Sequence, residues 1–310
     1  MSFSTSVVRP LVLRVAEHPW SRRFATTTRP GRAVASRFVA GETLEEAMRV
    51  AAELDRRRIA SMLDLLGENV RTKAQAAMAT RAYVDAIEAI ERAPDLDCAF
   101  SLKLTQLGLD VSVGECLANV GPILEAAAGI GTAVMIDMES VGYVDHTLEV
   151  LHDAHARYPK VGVCLQSYLR RTERDLDTLP AGVRVRLVKG AYLEPPEVVF
   201  TNKREVDASF ARLFTTLFAR GHAIDVATHD PRLLEGVRKR VAASGGGWSR
   251  VEFQMLYGVR RDLQQRFAGD GYPVRVYVPY GTEWYPYLTR RLAERPANVW
   301  FFLSNLVRTR

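Results

Sequence analysis

Short apolar, β-rich runs recur along the chain. They are RIASMLDL (58–65), CAFSLKL (98–104), TAVMID (132–137), VGVCLQ (161–166), VRVRLV (183–188), AIDVAT (223–228), VEFQML (251–256) and VRVYV (274–278). Turn residues bound each one, as they bound strands. The intervening stretches have helical periodicity. TKAQAAMATRAYVDAIEAIERA is one, GECLANVGPILEAAAG is a second with Gly129 as its stop signal, and DASFARLFTTLFARGH ends likewise at Gly221. Eight strands alternating with helices, in near-continuous apolar runs rather than strict alternation, predict a parallel sheet covered on its outer face. A closed (β/α)8 barrel is the natural eight-strand solution. A doubly wound open sheet would need a glycine-rich fingerprint after its first strand, and DLLGENV has one glycine. The GIG at 129–131 is too short, and the GGG at 245–247 follows a helix. With no repeat, linker or low-complexity stretch after residue 40, the reading is one barrel domain over 37–310 behind a basic N-terminal extension, 1–36.

Composition agrees. A chain of 310 residues could hold two domains, but barrels of about 250 residues are the usual exception. No run approaches the roughly 18 apolar residues of a membrane span. Cys98, Cys116 and Cys164 are odd in number and widely spaced, so buried thiols in a reducing compartment are expected. The net charge of +6 is concentrated: residues 1–32 hold six arginines against one acid, Glu17. The basic balance therefore reports one segment, and no nucleic-acid partner is expected. That segment reads first as a structural extension of the fold, then as an amphipathic surface for an anionic membrane, then as a targeting segment.

Barrel chemistry sits at the C-terminal ends of strands. The second run ends in Lys103, and the third in Asp137 with Glu139 just beyond. The fourth ends in Gln166, and the fifth holds Arg186 and is followed by Lys189. The sixth ends in Thr228, then His229 and Asp230; the seventh ends in Met255 and Leu256; the eighth carries Tyr277. Any one of these is an ordinary strand end facing water. Together at one rim they describe a pocket with both signs of charge, aromatic and apolar walls, suited to a zwitterion beside something flat. His146, His152 and His155 do not share one side of a helix, and no metal is expected.

The stretch YGTEWYPYLTRRLAERP (280–296) predicts a helix from near Thr282 to before Pro296. Tyr287, Arg290, Arg291 and Glu294 share one face. A solvated ion-paired face is one reading. The other is a clamp, with two guanidiniums for a carboxylate and one carboxylate for an ammonium.

RLVKGAYLEP (186–195), ATHD (227–230), EFQMLYGV (252–259), RVYVPYGTEW (275–284) and YLTRRLAE (287–294), in this order, resemble the proline dehydrogenase family. RFVAGETLEEA (37–47), LDLLGE (63–68), SLKLTQLG (101–108), IDMES (136–140) and CLQSYLRRT (164–172) are similar to it too, so the resemblance spans roughly 37–307. It implies a distorted (β/α)8 TIM barrel that holds FAD without covalent attachment. It implies oxidation of L-proline to 1-pyrroline-5-carboxylate, the first step of proline catabolism, by hydride transfer to flavin N5 with electrons passed to a quinone at the membrane.

The resemblance also implies roles. Arg290, Arg291 and Lys103 would hold the substrate carboxylate, with Glu294 facing its amine. Asp137 would be a strand-end acid of the site, and Tyr277 and Leu256 would pack on the pyrrolidine ring. Arg186 would lie near flavin N5. Gln166, Lys189, Gly190, Ala191, Tyr192, Thr228, His229 and Gln254 fall in motifs that contact FAD.

Two positions depart from the family pattern. Asp230 stands where asparagine is common, adding a negative charge near the cofactor. Leu193 stands where many relatives carry tryptophan, putting an adenine-stacking contact in doubt. Bifunctional relatives add an aldehyde dehydrogenase domain that 310 residues cannot hold, so the product would pass to a separate pyrroline-5-carboxylate dehydrogenase. The expected location is cytoplasmic, with peripheral contact at the inner face of the cell membrane as an option. Competing readings are a hydroxyproline dehydrogenase, which a smaller residue than Tyr277 would favour, a flavin-binding module without activity, and a Schiff-base barrel of aldolase type using Lys103 or Lys189.

Overall fold

The computed structural model describes Arg23 and residues 28–294. The readings that rest on residues 1–22 and 24–27, and on the side chain of Glu294, lie outside the described residues.

Among the described residues the chain runs α1 (Arg29–Ala35), α2 (Leu44–Asp55), β1 (Ala60–Leu65), α3 (Lys73–Glu91), β2 (Cys98–Leu102), α4 (Val113–Ile130), β3 (Val134–Ile136), α5 (Val144–Arg157), β4 (Val161–Gln166), α6 (Thr172–Asp175), β5 (Val185–Val188), α7 (Lys203–Ala219), β6 (Ile224–Ala227), α8 (Pro231–Ala243), β7 (Val251–Leu256), α9 (Arg261–Gly269), β8 (Val274–Tyr280) and α10 (Trp284–Glu294). The eight strands form a closed barrel in sequence order. Every pairing is parallel, and β1 closes the ring by pairing Met62 with both Ala99 of β2 and Tyr277 of β8. The eight apolar runs are the eight strands, and the barrel is the fold expected.

Helix starts follow side-chain chemistry. Thr72, Ser112, Asn202 and Asp230 each accept a hydrogen bond from a backbone amide of the helix that follows. Thr43 and Glu46 form a reciprocal capping box at α2. One stop signal moves. Gly129 lies inside α4, and the left-handed cap is Gly131, at φ 70°. Two glycines two residues apart look alike in sequence; the one that must turn the chain is the cap.

Strands β2 to β4 are the near-continuous buried runs expected, whereas β5 to β8 alternate. Val185, Leu187, Ile224, Val226, Val251, Phe253, Val274 and Val276 face outward into the large core shared with the helices. The residues between them are charged or polar: Arg184, Arg186, Asp225, Glu252, Gln254, Arg275 and Tyr277. Arg184, itself partly exposed, pairs with buried Asp225 at 2.5 Å, and Arg275 pairs with Glu252 at 2.8 Å. The large hydrophobic core is thus a shell between strands and helices, and a small apolar cluster of Met62, Ala99 and Met135 sits inside the barrel among the charged and polar side chains.

Two features place the mouth. Helix α2 packs against β8 and β1, filling the ring position where the chain closes. The helix after β8 is therefore left to lie over the C-terminal mouth, and α10 lines the cavity there. What holds α10 is the chain's early segment. Val34, Ala35, Phe38 and Val39 bury against Leu66, Trp284, Tyr287 and Leu288. Ala40 N donates to Pro279 O at 2.8 Å, Gly281 N donates to Gly41 O at 3.0 Å, and Trp284 Nε1 donates to Glu42 Oε1 at 3.0 Å. The region read as an extension thus contributes α1 to this cluster.

A second brace lies beside the mouth. Glu139 is buried, and accepts from Thr105 N at 3.1 Å and Thr105 Oγ1 at 2.6 Å. It ties the end of β3 to the turn that carries Lys103. Burial pushes its carboxyl up to about 7, against the pull of Thr105.

Gly258 has φ +74°, and a Cβ there would sit 1.6 Å from Arg37 O. Gly258→Ala should cost about 1–3 kcal/mol in urea unfolding. Gly236→Ala, on the exposed side of α8 with open space around it, should instead gain up to about 1 kcal/mol. Equal effects at the two sites would refute this account of the early segment. Glu139 gives a pH test. Its folded value is raised, so its contribution is present below the ordinary value of 4.5 and is lost as pH rises toward 7. Glu139→Gln carries no such loss. Relative to the parent it should gain up to about 3 kcal/mol in unfolding free energy between pH 5 and pH 8. A difference that stays constant with pH would rule this out.

Candidate active site

At the C-terminal ends of the strands opens a cavity of about 740 Å³. That is within the range of ligand and cofactor sites.

Its floor is a charged cluster centred on Asp137. Ser101 Oγ lies 2.5 Å from Asp137 Oδ1, and Arg186 Nη1 donates to the same oxygen at 2.6 Å. Tyr277 OH donates to Asp137 Oδ2 at 2.6 Å, and Lys103 Nζ donates to it at 3.1 Å. Arg186 also donates through Nε to Gln254 Oε1 at 2.7 Å, touches Met62, and lies 5.1 Å from the Tyr277 ring centre. Burial alone would push the Asp137 carboxyl up, but Lys103 and Arg186 outweigh it and hold it below its ordinary value. Burial likewise opposes the Lys103 charge, and Asp64, Tyr277 and Asp137 together hold the ammonium well above its usual value. The Tyr277 phenol is pushed up by burial and by Asp137, so it stays a donor.

Gln166, Thr228, His229 and Leu256 form the middle of the wall. Gln166 is buried; its Nε2 donates to Met138 O and Glu139 O, both at 2.8 Å. His229 Nε2 accepts from Leu256 N at 3.0 Å, which leaves Nδ1 as the ring's donor.

The outer wall is a loop after β5. Gly190 has φ +119°, and a Cβ there would lie 2.1 Å from the Tyr168 ring, so only glycine passes. Ala191 and Tyr192 follow along the cavity. Lys189 Nζ donates to Asp207 at 2.6 Å and Asp230 at 2.9 Å, and Lys203 pairs with the same two acids. The extra charge of Asp230 is thus shared by two lysines, and its carboxyl is held below its ordinary value. Leu193, by contrast, is 61% exposed.

Over the mouth, α10 supplies Tyr287, Arg290 and Arg291. Arg291 lies 5.1 Å from the Tyr287 ring centre, and Arg290 lies 5.7 Å from that of Tyr192. Arg290 donates to both oxygens of Glu68, at 2.5 and 3.2 Å. Lys103, Leu256, Asp137, Gln166, Arg186, Lys189, Gly190, Ala191, Tyr192, Thr228, His229, Gln254 and Tyr277 border this one cavity, whereas Glu139 is not part of its lining and braces the turn beside it.

The strand-end reading began at the second run and so missed Asp64. The first run, RIASMLDL, carries that one acid in an apolar strand, which is itself a signal. Asp64 is fully buried and accepts from Lys103 Nζ at 2.5 Å. Glu68, in the loop after β1, and Ser101, one turn of the strand below Lys103, were missed as well. Cys98, Cys116 and Cys164 are free and buried, as expected, with thiols pushed up by burial to about 11, 12 and 12. His155 Nδ1 sits 3.0 Å from Val161 O and His146 lies 3.6 Å from Glu149. Among the described residues no helix is long and apolar enough to cross a membrane.

A family model described as proline dehydrogenase matches residues 47–303. The proline dehydrogenase of Deinococcus radiodurans is 40% identical over 308 residues, covering 97% of this chain and 98% of its own length. Proline dehydrogenase 1 of Bacillus subtilis subsp. natto is 37% identical over 305 residues, covering 97% of this chain and all of its own. Among solved structures, proline utilization A from Bdellovibrio bacteriovorus inactivated by N-propargylglycine superposes with a TM-score of 0.81 at 23% identity. That likeness concerns the fold, over 94% of this chain and 36% of the larger one. The chain belongs to the proline dehydrogenase family.

Proposed function

We propose that the chain oxidises L-proline to 1-pyrroline-5-carboxylate with FAD as its cofactor, and that a quinone at the membrane takes the electrons. The observation that carries this reading is one cavity with two zones. Its floor and mouth hold Lys103, Arg290 and Arg291, with Tyr277 and Leu256 among the walls. Its flank is long, lined by the loop after β5 and the ends of β6 and β7. The first zone suits a small cyclic zwitterion and the second an extended cofactor.

The residues fit FAD. Gln166 Oε1 is buried without a hydrogen-bond partner among the described residues, an acceptor waiting for a donor. Gly190 keeps the backbone side-chain-free where the loop borders the cavity. Gln166, Arg186, Lys189, Gly190, Ala191, Tyr192, Thr228, His229 and Gln254 would hold the group. Bound FAD supplies the two-electron acceptor that no side chain provides.

The chain's own groups do the rest. Arg290, Arg291 and Lys103 hold the substrate carboxylate, and multiple charged donors fix its orientation. Tyr277 and Leu256 wall the three methylenes. Glu294 is the acid assigned to the amine. Arg186, locked by Asp137 and Gln254, presents a fixed positive charge near the reacting centre, with no reorganisation needed as charge develops. The released imine would go to a separate pyrroline-5-carboxylate dehydrogenase. A Schiff-base mechanism is disfavoured because it needs a neutral amine. Lys103 is held charged between two carboxylates, and Lys189 is engaged by two others in ion pairs.

The purified chain should show a flavin spectrum that bleaches when L-proline is added without oxygen. Arg291→Ala should lower kcat/KM for proline about 10- to 100-fold. A flavin that stays oxidised with proline would defeat the substrate assignment, and a colourless chain that takes up no FAD would defeat the cofactor. Tyr277 is fixed by Asp137 and Lys103, so its ring should exclude a hydroxylated substrate. Proline should exceed hydroxyproline in kcat/KM, and Tyr277→Ser should narrow that ratio about 10-fold. Hydroxyproline turning over better in the parent would overturn this.

A further inference from the structure

The three donors of Lys103 are already in use. Nζ donates to Asp64 Oδ1 at 2.5 Å, to Asp137 Oδ2 at 3.1 Å and to Tyr277 OH at 3.3 Å. An ammonium has no fourth donor. A carboxylate that reaches Lys103 must therefore displace one of them. Asp137 and Tyr277 can yield, since each keeps the other, and Asp137 also keeps Ser101 and Arg186. Asp64 cannot. It is fully buried, and its Oδ2 has no hydrogen-bond partner among the described residues. Lys103 is its one cationic hydrogen-bond donor among the described residues, so letting go would leave a buried carboxylate without its countercharge.

Carboxylate binding thus gathers a third anion around one ammonium. The carboxyl with least compensation is the one that must neutralise. The groups facing Asp64 are Lys103, Asp137, Tyr277, Tyr280, Tyr83 and Arg290. Of the two cations, Lys103 is shared and Arg290 is engaged by Glu68. Asp137 has both Lys103 and Arg186. Burial already pushes the Asp64 carboxyl up, whereas Asp137 is held down.

We propose that Asp64 is the proton acceptor coupled to substrate binding: when a carboxylate joins Asp64 on Lys103, displacing Asp137 or Tyr277, one proton moves onto Asp64 Oδ2. This rests on the reading of Lys103 as a contact of the substrate carboxylate. An O–H bond forms on Asp64, and its oxygen changes from an unpartnered acceptor to a hydroxyl that donates a hydrogen bond to the incoming carboxylate. With a ligand that has no amine, the proton comes from solvent. With proline, the ammonium gives up an N–H proton, so the two transfers cancel and little net exchange with solvent is seen.

The probe is cyclopentanecarboxylate, a five-membered ring with a carboxylate and no amine. Its binding to the purified flavin-loaded chain is measured by calorimetry in buffers of different ionisation enthalpy. The expected result is uptake of about one proton per ligand and an affinity that falls about tenfold per pH unit across the coupled window. Asp64→Asn should bind the probe with no uptake and no such slope. Binding without uptake in the parent, or uptake retained in Asp64→Asn, overturns the proposal and leaves the proline reading standing. No binding at any pH overturns both. If Asp64→Asn does not hold flavin, an infrared difference spectrum of the parent decides. A protonated-carboxyl band appearing with the probe supports the proposal, and its absence overturns it.

Discussion

Asp137 is the point on which the centre of this barrel depends. Donors from β2, from the residue after it, from β5 and from β8 converge on its two oxygens. Removing one partner of a buried pair commonly costs 3–5 kcal/mol, because the other charge is stranded. Here the charges are linked, Lys103 to Asp64 and Arg186 to Asp137, with Gln254 holding Arg186 as well, so the positions of several site residues are set jointly. Rigidity at the floor of the cavity comes from charge neutrality rather than from apolar packing.

A charged interior is tolerable because stability is gained elsewhere. The strands give their outward residues to a continuous apolar shell against the helices, and their inward residues to ion pairs and the cavity. The two faces of each strand answer to different demands. A change inside the barrel can alter chemistry while the shell remains intact, and a change in the shell need not touch the site.

Much of the fold was legible because burial on the outer face leaves a run of apolar residues in sequence. The rim residues were legible because strand ends are where barrel chemistry lies, and because ten motifs stand in family order. Inward charge was harder to see. Arg184, Asp225 and Glu252 read as interruptions in apolar runs until their pairing across strands is known. Asp64 is one acid in a strand, and its partner is 39 residues away. Glu68 lies in a loop 222 residues before Arg290, and nothing local in either stretch announces the other. Asp230 reads as a lone anion, yet in space it is shared by Lys189 and Lys203. These are facts of convergence, which spacing along a chain does not encode.

The docking of α10 on residues 34–39 has a consequence for how the protein is made. Those residues leave the ribosome well before the helix that carries Arg290 and Arg291. The barrel cannot close until β8 has met β1, and the mouth cannot be furnished until α10 has met its early partners. A nascent chain stalled before residue 284 would have its eight strands and its acid–lysine floor, with no arginine helix above it. The site is therefore completed only once α10 has been made, later than the strands and the acid–lysine floor beneath it.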